Sequence, residues 1–165
     1  MKHIIAGAAA LLLADIAVAH PEANQSANAA TIGAVAPSAR PAAAVVDAFH
    51  AALRLGDTKA ALSYLAENAL IYEAGGVERG RQEYASHHLG ADSAFAQAVP
   101  GTLTRRAGEV VGNIAWIATE GRTTGIFKDK AVDRVTAETM VLRRQGRAWK
   151  IVHIHWSSRA AKSSH

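Results

Sequence analysis

The sequence VVDAFHAALRLGD occupies residues 45–57 and carries the clearest local pattern in the chain. Its apolar side chains recur every three or four residues, which predicts an amphipathic helix. Gly56 ends that helix, and Asp57 is suited to cap the N-terminus of a second, short helix. The apolar residues of the second helix are Ala60, Ala61, Leu62 and Leu65. The folded part of the chain is therefore expected to open with two consecutive helices.

Strand patterns dominate the sequence beyond these helices. One further helix interrupts them and could break near Gly90, and turn residues separate the last four strands. The predicted elements are a strand at 69–73, a short return strand at 77–79, a third helix at 81–98, and strands at about 102–111, 114–126, 131–144 and 148–157.

Helices that are segregated from an antiparallel meander indicate an α+β domain. We expect three helices from the N-terminal half of the domain to pack on one face of a curved antiparallel sheet. A strongly bent sheet closed by helices forms a cone with an internal pocket, which is a common place for a ligand. The domain is expected to span residues 42–158.

The N-terminus predicts export. Residues 1–19 combine a cationic start, an apolar run and the small-x-small ending Ala17-Val18-Ala19, a pattern typical of a cleaved signal peptide. A membrane anchor is the alternative, but Asp15 and the shortness of the run argue against it. We expect a periplasmic or secreted protein without stable membrane association. A flexible leader is expected at 20–41 and a disordered tail at 159–165.

The amino-acid composition excludes several classes of function. The 165 residues contain no Cys, which excludes a disulfide scaffold, a zinc–thiolate site and a thiol nucleophile. Aromatic residues make up only 5% and the net charge is +4, so the interleaved basic and aromatic residues of a nucleic-acid binder are missing. We expect no nucleic-acid partner, and no cofactor is predicted.

Three segments resemble a known superfamily. The run at 45–57, the strand ALIYE at 69–73 and the ending WKIVHIHWS at 149–157 are similar to the nuclear transport factor 2-like (NTF2-like) superfamily, in particular to its SnoaL-like and ketosteroid-isomerase-like members. The last strand also resembles the calmodulin-dependent kinase association domain. The resemblance covers residues 42–158 and implies the cone-shaped fold. It does not single out a function, because this superfamily holds isomerases, dehydratases, cyclases, binding modules and assembly domains.

The resemblance also implies positions for acid–base chemistry. Isomerases of this superfamily place a carboxylate base at the end of the first strand, where this chain has Glu73, and a protonated carboxyl on a late strand, where it has Glu138. They place a Tyr donor on the first helix, where this chain has Phe49. Loss of one such donor typically costs about 10²–10³ in rate. Steroid isomerisation is therefore disfavoured, whereas a general acid–base pocket is compatible with both carboxyls.

Each carboxyl also has an ordinary structural explanation. Glu73 could pair with Arg79 or Arg81, and Glu138 could form a salt bridge on the sheet. If the two face one apolar pocket instead, burial and mutual repulsion raise the pKa of at least one of them.

His153 and His155 lie two residues apart on the last strand. An unbroken strand places both on one face, together with Trp149 and Ile151. We assign His155 as a catalytic residue, because imidazole changes its charge near neutral pH and could shuttle a proton. A purely structural histidine is the alternative.

A metal site is a further alternative for these histidines. His153 and His155 could bind a divalent ion together with Glu73, or together with His87 or His88 from the third helix. Neighbouring helical residues point about 100° apart, so only one of His87 and His88 can face a pocket. We name no metal ligand among the predicted site residues.

The remaining pocket candidates are side chains from several elements. The predicted ligand-binding residues are Phe49, Tyr72, Tyr84, His88, Trp116, Met140 and His153, and the predicted catalytic residues are Glu73, Glu138 and His155.

The sequence alone supports a secreted protein whose pocket binds, and could transform by acid–base chemistry, an apolar small molecule. Two alternatives stay open: a non-catalytic dimeric binding or assembly module, and a periplasmic metal-binding protein. We expect a homodimer in each case, because the outer face of a four-stranded sheet would otherwise leave a large apolar patch exposed.

Overall fold

The computed structural model describes residues 34–162 of the chain, which fold into four α-helices and six strands. The predicted signal peptide at 1–19, the first part of the predicted leader and residues 163–165 lie outside the described residues. The helices are a 3₁₀ turn at Pro37–Ala39, α1 at Arg40–Leu55, α2 at Thr58–Tyr64, α3 at Arg81–His87 and α4 at Leu89–Ala98. The strands are β1 at Leu65–Glu73, β2 at Gly76–Glu78, β3 at Gly101–Val111, β4 at Ile114–Phe127, β5 at Lys130–Gln145 and β6 at Ala148–Ala160.

The boundary between α1 and α2 follows the predicted chemistry. Gly56 adopts a left-handed backbone with φ of 75°, and its N–H bonds to the carbonyls at the end of α1. The Asp57 side chain then accepts a hydrogen bond of 2.8 Å from the backbone N–H of Ala60. The predicted N-cap is thus confirmed, and the two helices follow each other with a single turn between them.

The third predicted helix is two helices. The chain breaks at His88, two residues before Gly90, and the backbone N–H of His88 closes α3 by bonding to the carbonyl of Tyr84. The described part of the chain therefore has four α-helices where the sequence predicted three. The predicted α+β class is confirmed.

The strands form one sheet in the order β2-β1-β6-β5-β4-β3. Neighbours are antiparallel except for β1 and β6, which run parallel. The last strand of the chain is thus inserted between the meander and the β1–β2 hairpin. This order brings β1 and β6, which are distant in sequence, side by side in the middle of the sheet.

A hydrophobic core fills the space between α1 and one face of this sheet, which we call the inner face. The largest fully buried side chains are Tyr84, Phe49, Leu65, Ile117, Met140, Leu142, Ile151, Ile154 and Val46. Among the described helices, none combines the length and the hydropathy that a transmembrane span needs.

The structured part of the chain extends beyond the predicted domain at both ends. Residues 34–41 were expected in a flexible leader, but Val35 forms a parallel bridge with Gly108 and the N–H of Ala36 bonds to the carbonyl of Gly108 at 2.8 Å. Ala39 is fully buried, and α1 begins at Arg40. At the other end, β6 continues two residues beyond the predicted end of the domain.

An irregularity in β6 reverses the predicted orientation of its second half. Leu142 of β5 pairs with Ile151, whereas the preceding residue of β5 pairs with His153, so Val152 is an extra residue in β6. Such a β-bulge shifts the alternation of side chains by one position. Ile151 and Ile154 both face the core as a result.

Candidate functional site

Two predicted carboxylates lie in one row across the inner face of the sheet. Trp156 of β6 pairs with Glu73 of β1 on one side and with Glu138 of β5 on the other. Side chains of directly paired residues point to the same face of a sheet. The structure therefore brings Glu73 and Glu138 to one face, with the indole of Trp156 between them.

A cavity of about 140 Å³ opens beside Glu73, between β1, β2 and the helices α3 and α4. Its lining residues are Ile71, Glu73, Ala74, Gly76, Glu78, Tyr84, His88, Asp92 and Trp156. Of the predicted site residues, Glu73, Tyr84 and His88 line this cavity. Glu78, Asp92 and Trp156 are cavity residues that the sequence interpretation missed.

Two carboxyls of the cavity, those of Glu73 and Asp92, have pKa values above their usual range. Burial raises the pKa of Glu73, the negative charge of Asp92 raises it further, and His88 opposes both effects. Burial likewise raises the pKa of Asp92, against the opposing effects of Tyr84 and His88. Two carboxyls with raised pKa values in one cavity can exchange protons closer to neutral pH than ordinary side chains can.

Tyr84 supplies a fixed hydroxyl to the cavity. Its hydroxyl donates a hydrogen bond of 2.8 Å to Oδ2 of Asp92, and its ring is buried. Burial, followed by the charge of Asp92, raises the pKa of Tyr84 far above its usual value. Tyr84 is therefore protonated throughout the pH range in which the carboxyls titrate, and it remains a hydrogen-bond donor.

Glu78 connects the short strand β2 to two histidines at the end of α3. It is 5% exposed, and one carboxylate oxygen contacts Nδ1 of His88. Nδ1 of His87 lies 3.3 Å from the other oxygen. Since adjacent helical residues diverge, the break of the helix at His88 is what lets both imidazoles approach one carboxylate.

Glu138 belongs to a second polar cluster, behind the cavity. Its Oε2 accepts a hydrogen bond of 2.7 Å from Nε1 of Trp156 and lies 2.7 Å from Nε2 of His50. Burial raises the pKa of Glu138, but the hydrogen bond and charge of His50, aided by Trp156 and Arg106, outweigh burial and lower it. The resemblance implied that Glu138 is protonated and donates a hydrogen bond. That prediction is wrong, because the contacts of Glu138 stabilise it as a carboxylate.

Arg106, on β3, extends this row along the same face to the edge of the sheet. Its guanidinium donates to Oγ1 of Thr119 at 3.1 Å and to Oδ1 of Asp47 on α1 at 2.5 Å. Thr119 pairs directly with Glu138 in the β-ladder. The positive charge of Arg106 thus lies near Glu138 and contributes to its lowered pKa.

Phe49 and Met140, two predicted ligand-binding residues, are core residues and do not line the cavity. The Phe49 ring stacks on Trp156 with centroids 6.4 Å apart and an interplanar angle of 19°. Met140 is fully buried on β5. Phe49 therefore acts on the cavity only through Trp156, whose ring it supports.

Four predicted site residues lie on the outer face, away from the cavity. Because of the bulge at Val152, His153 and His155 point outward, where the ring of Tyr72 packs within 5.2 Å of His153 and 6.4 Å of His155. Trp116 is 38% exposed on the same face. The prediction that His155 shares a hollow with Glu73 is therefore wrong.

The metal site suggested for the histidines is not assembled either. His153 and His155 lie on the outer face, whereas His88 lines the cavity on the inner face and His87 contacts Glu78. The two pairs are separated by the sheet and cannot share one ion.

His50 and Asp92 had only weak sequence signals. His50 interrupts the apolar pattern of residues 45–57 immediately after Phe49, on the helix face that meets the sheet. Asp92 is a charged residue in a short helix with an otherwise weak pattern. Neither partner could be identified from the sequence, because each contact depends on tertiary packing.

A cone of helices on a bent sheet, with carboxylates on its inner face, is the architecture of the NTF2-like class. Residues 42–161 match the family of SnoaL-like domains. The chain belongs to this family, and the superfamily predicted from the sequence is confirmed. Among curated proteins, no sequence matched the chain.

Solved structures agree with this assignment. A candidate ketosteroid isomerase from Shewanella frigidimarina is 41% identical, with a TM-score of 0.66 over 68% of this chain and 91% of that one. A candidate dehydratase of the NTF2-like family from Streptomyces avermitilis is 21% identical, with a TM-score of 0.60 over 74% and 97%. The CaMKII hub of S. rosetta is 22% identical, with a TM-score of 0.62 over 76% and 100%. The last two similarities establish the fold alone.

Proposed function

We propose that this protein binds a small molecule in the cavity beside Glu73 and moves a proton on it by acid–base catalysis. One observation carries the proposal: two carboxyls with raised pKa values, Glu73 and Asp92, converge on one cavity. The similarity to a candidate ketosteroid isomerase, at 41% identity, supports the same class of chemistry, because that reaction transfers a proton.

The cavity suggests the roles of three residues. Glu73, an exposed residue of the cavity lining, is the general base that removes a proton from carbon. Tyr84 donates a hydrogen bond to the ligand oxygen that becomes negatively charged, a role that Phe49 cannot fill. Asp92 accepts the single Tyr84 proton in the free protein. When a ligand is bound, Asp92 is protonated, as its raised pKa favours, and donates to the Tyr84 oxygen, which frees the Tyr84 proton for the ligand.

The size and polarity of the cavity limit the substrate. Sites for drug-sized ligands measure roughly 300–1,000 Å³, whereas this cavity measures about 140 Å³. Ile71 and Trp156 provide apolar surface on the sheet, beside Glu73 and Glu78, and Asp92 is contributed by α4. The substrate is therefore a small molecule with an apolar body and one polar end, not a steroid-sized one.

Isomerisation of 3-cyclohexenone to its conjugated isomer tests the proposal. Glu73 takes the proton between the carbonyl and the double bond and returns it at the far end of the dienol, so that no atom is gained or lost. We expect native protein to accelerate the ultraviolet absorbance change, and Glu73→Gln to lower kcat/KM by about 10²–10⁴-fold. The same rate in Glu73→Gln and native protein would contradict the assignment.

Two control variants sharpen this test. His155→Ala removes an imidazole from the outer face, and its rate should equal that of the native protein. Glu138→Gln changes the second carboxylate of the row, which does not line the cavity, and should alter kcat/KM by only a few fold. A loss in Glu138→Gln as large as that in Glu73→Gln would make Glu138 a catalytic residue.

We also propose that the outer face of the sheet forms a homodimer interface. Tyr72 and Trp116 are each 38% exposed there, and no described helix covers them. The fold likeness to the CaMKII hub is compatible with assembly through such a face. Sedimentation should give a dimer for native protein and a monomer for Trp116→Lys, whereas Leu55→Lys, at an exposed helix end, should remain dimeric. Monomeric native protein at high concentration would exclude this interface.

Export is proposed on the sequence pattern of residues 1–19 alone. Expression of the full chain in a bacterium with two membranes should yield a periplasmic protein whose mass corresponds to cleavage after Ala19. Uncleaved protein retained in the cytoplasm would contradict this proposal.

A further inference from the structure

A second cluster of ligand-type side chains lies beside the cavity, where β2 meets α3. One donor atom from each of Glu78, Glu83 and His87 lies within 4.8 Å of the others. Glu83 and His87 are four residues apart on α3, so they share one face of that helix. Glu78 ends β2 and faces the same space. The cluster therefore combines two carboxylates and one imidazole from two adjacent elements.

Glu78 is the member that points to a missing ligand. Its side chain is 6% exposed, yet its Oε2 makes no hydrogen bond. A buried carboxylate oxygen without a hydrogen-bond donor is costly, because burial removes its hydration without replacement. His87 approaches Oε2 at an ion-pair distance of 3.3 Å, through the nitrogen that would also bind a metal.

The surrounding contacts hold the carboxylates in place. Nδ1 of His88 contacts Oε1 of Glu78, which leaves Oε2 directed at His87. The backbone N–H of Arg79 donates a hydrogen bond of 2.6 Å to Oε2 of Glu83. Outer contacts of this kind orient metal-binding carboxylates in known sites.

We propose that Glu78, Glu83 and His87 bind a divalent transition-metal ion such as zinc. Zn–N and Zn–O bonds of about 2.1 Å place ligand atoms about 3–4 Å apart, and the observed separations within 4.8 Å approach this spacing. One imidazole and two carboxylates suit zinc better than magnesium or calcium, which prefer oxygen ligands alone. This site differs from the proton-transfer site, although Glu78 belongs to the wall of the cavity.

Calorimetric titration tests the proposal, with zinc chloride added to the full, untagged chain after treatment with a chelator. We expect one zinc ion per chain at this site. His87→Ala and Glu83→Gln should each weaken its binding by about tenfold or more, since changes around metal ligands alone cost 10–100-fold. Both replaced side chains lie outside the core, so these variants should fold, and far-ultraviolet circular dichroism verifies that they do. Glu78 itself is left unchanged because it is buried.

His155→Ala is the matched control, because it also removes one imidazole but from the outer face. It should bind zinc as the native chain does. Equal zinc affinity in native protein, His87→Ala and Glu83→Gln would overturn the proposal, as would the absence of zinc binding or a loss confined to His155→Ala. Cobalt absorption spectra give a second readout: native protein should show bands of a nitrogen-and-oxygen site that His87→Ala lacks.

Discussion

Replacing His50 with Ala is expected to convert a stabilising buried carboxylate into a destabilising one. The Glu138 side chain is 8% exposed, and its Oε2 has two neighbours, the His50 imidazole and the Trp156 indole, each at 2.7 Å. Its other oxygen, Oε1, is buried without a hydrogen bond. Removal of His50 therefore leaves a buried charge with a single donor.

The size of the effect follows from these contacts. Removal of one partner of a buried ion pair costs about 3–5 kcal/mol. His50 is 30% exposed and the Trp156 N–H stays in place, so we expect a smaller cost, at or just below the lower limit of that range, about 2–3 kcal/mol.

The effect depends on pH in a defined direction. In native protein the pKa of Glu138 is lowered from 4.5, so the pair stabilises the fold above that value and the contribution is lost as pH falls through the lowered pKa. Without His50, burial is the dominant influence and raises the pKa of Glu138. The ionised Glu138 then lowers the stability of the variant above about pH 4.5, and this loss of stability disappears below that pH. The stability difference should therefore shrink as the pH falls from about 7 to below about 4.

Urea denaturation of native protein and His50→Ala at both pH values measures this difference. His153→Ala is a matched control, because that half-buried imidazole lies on the outer face, where it contacts the carbonyl of Leu70 and the ring of Tyr72. A stability loss in His50→Ala that is the same at both pH values would refute the electrostatic explanation and indicate lost packing instead.

Two further predictions concern stability. Glu73→Gln should raise the melting temperature at neutral pH, because a carboxyl with a raised pKa destabilises the fold once it ionises. The gain should vanish in acid, where the carboxyl of the native protein is protonated. A lower melting temperature of the variant at neutral pH would contradict the raised pKa. Gly108→Val should cost about 1–3 kcal/mol by overpacking, since even a Cβ there would lie 2.5 Å from Cδ1 of Ile117 and 2.9 Å from a backbone oxygen. Gly90→Ala, which meets nothing within 4 Å, is its control, and equal unfolding free energies for the two variants would show that this contact is not tight.

The helices and strands were predictable because their signals are local. The apolar spacing of residues 45–57 and the Gly56-Asp57 boundary define α1 and α2 without reference to other parts of the chain. The inner row of the sheet was predictable only in part. Glu73 ends β1 at the position where isomerases of the superfamily place their base, so the resemblance indicated this residue, whereas the burial pattern at the end of the strand does not alternate.

The facing of β6 was not predictable from alternation alone. Ile151, Val152, Ile154 and Trp156 are apolar, so both alternations of the strand carry apolar side chains. Only the adjacent pair Ile151-Val152 hints that the strand changes phase, and the bulge is fixed by pairing with β5. That single extra residue moved the predicted catalytic histidine to the outer face and placed Trp156 inside.

Trp156 is consequently the residue through which the two carboxylates of the inner row can influence each other. Its indole N–H stabilises the charge on Glu138, whereas its ring forms part of the cavity wall beside Glu73. Phe49 stacks on one side of the ring and Tyr84 packs at 6.4 Å, so its orientation is fixed by packing as well as by the hydrogen bond. We therefore propose that Glu138 is a positioning residue that holds the cavity wall, and that Glu73 is the carboxyl that meets the ligand.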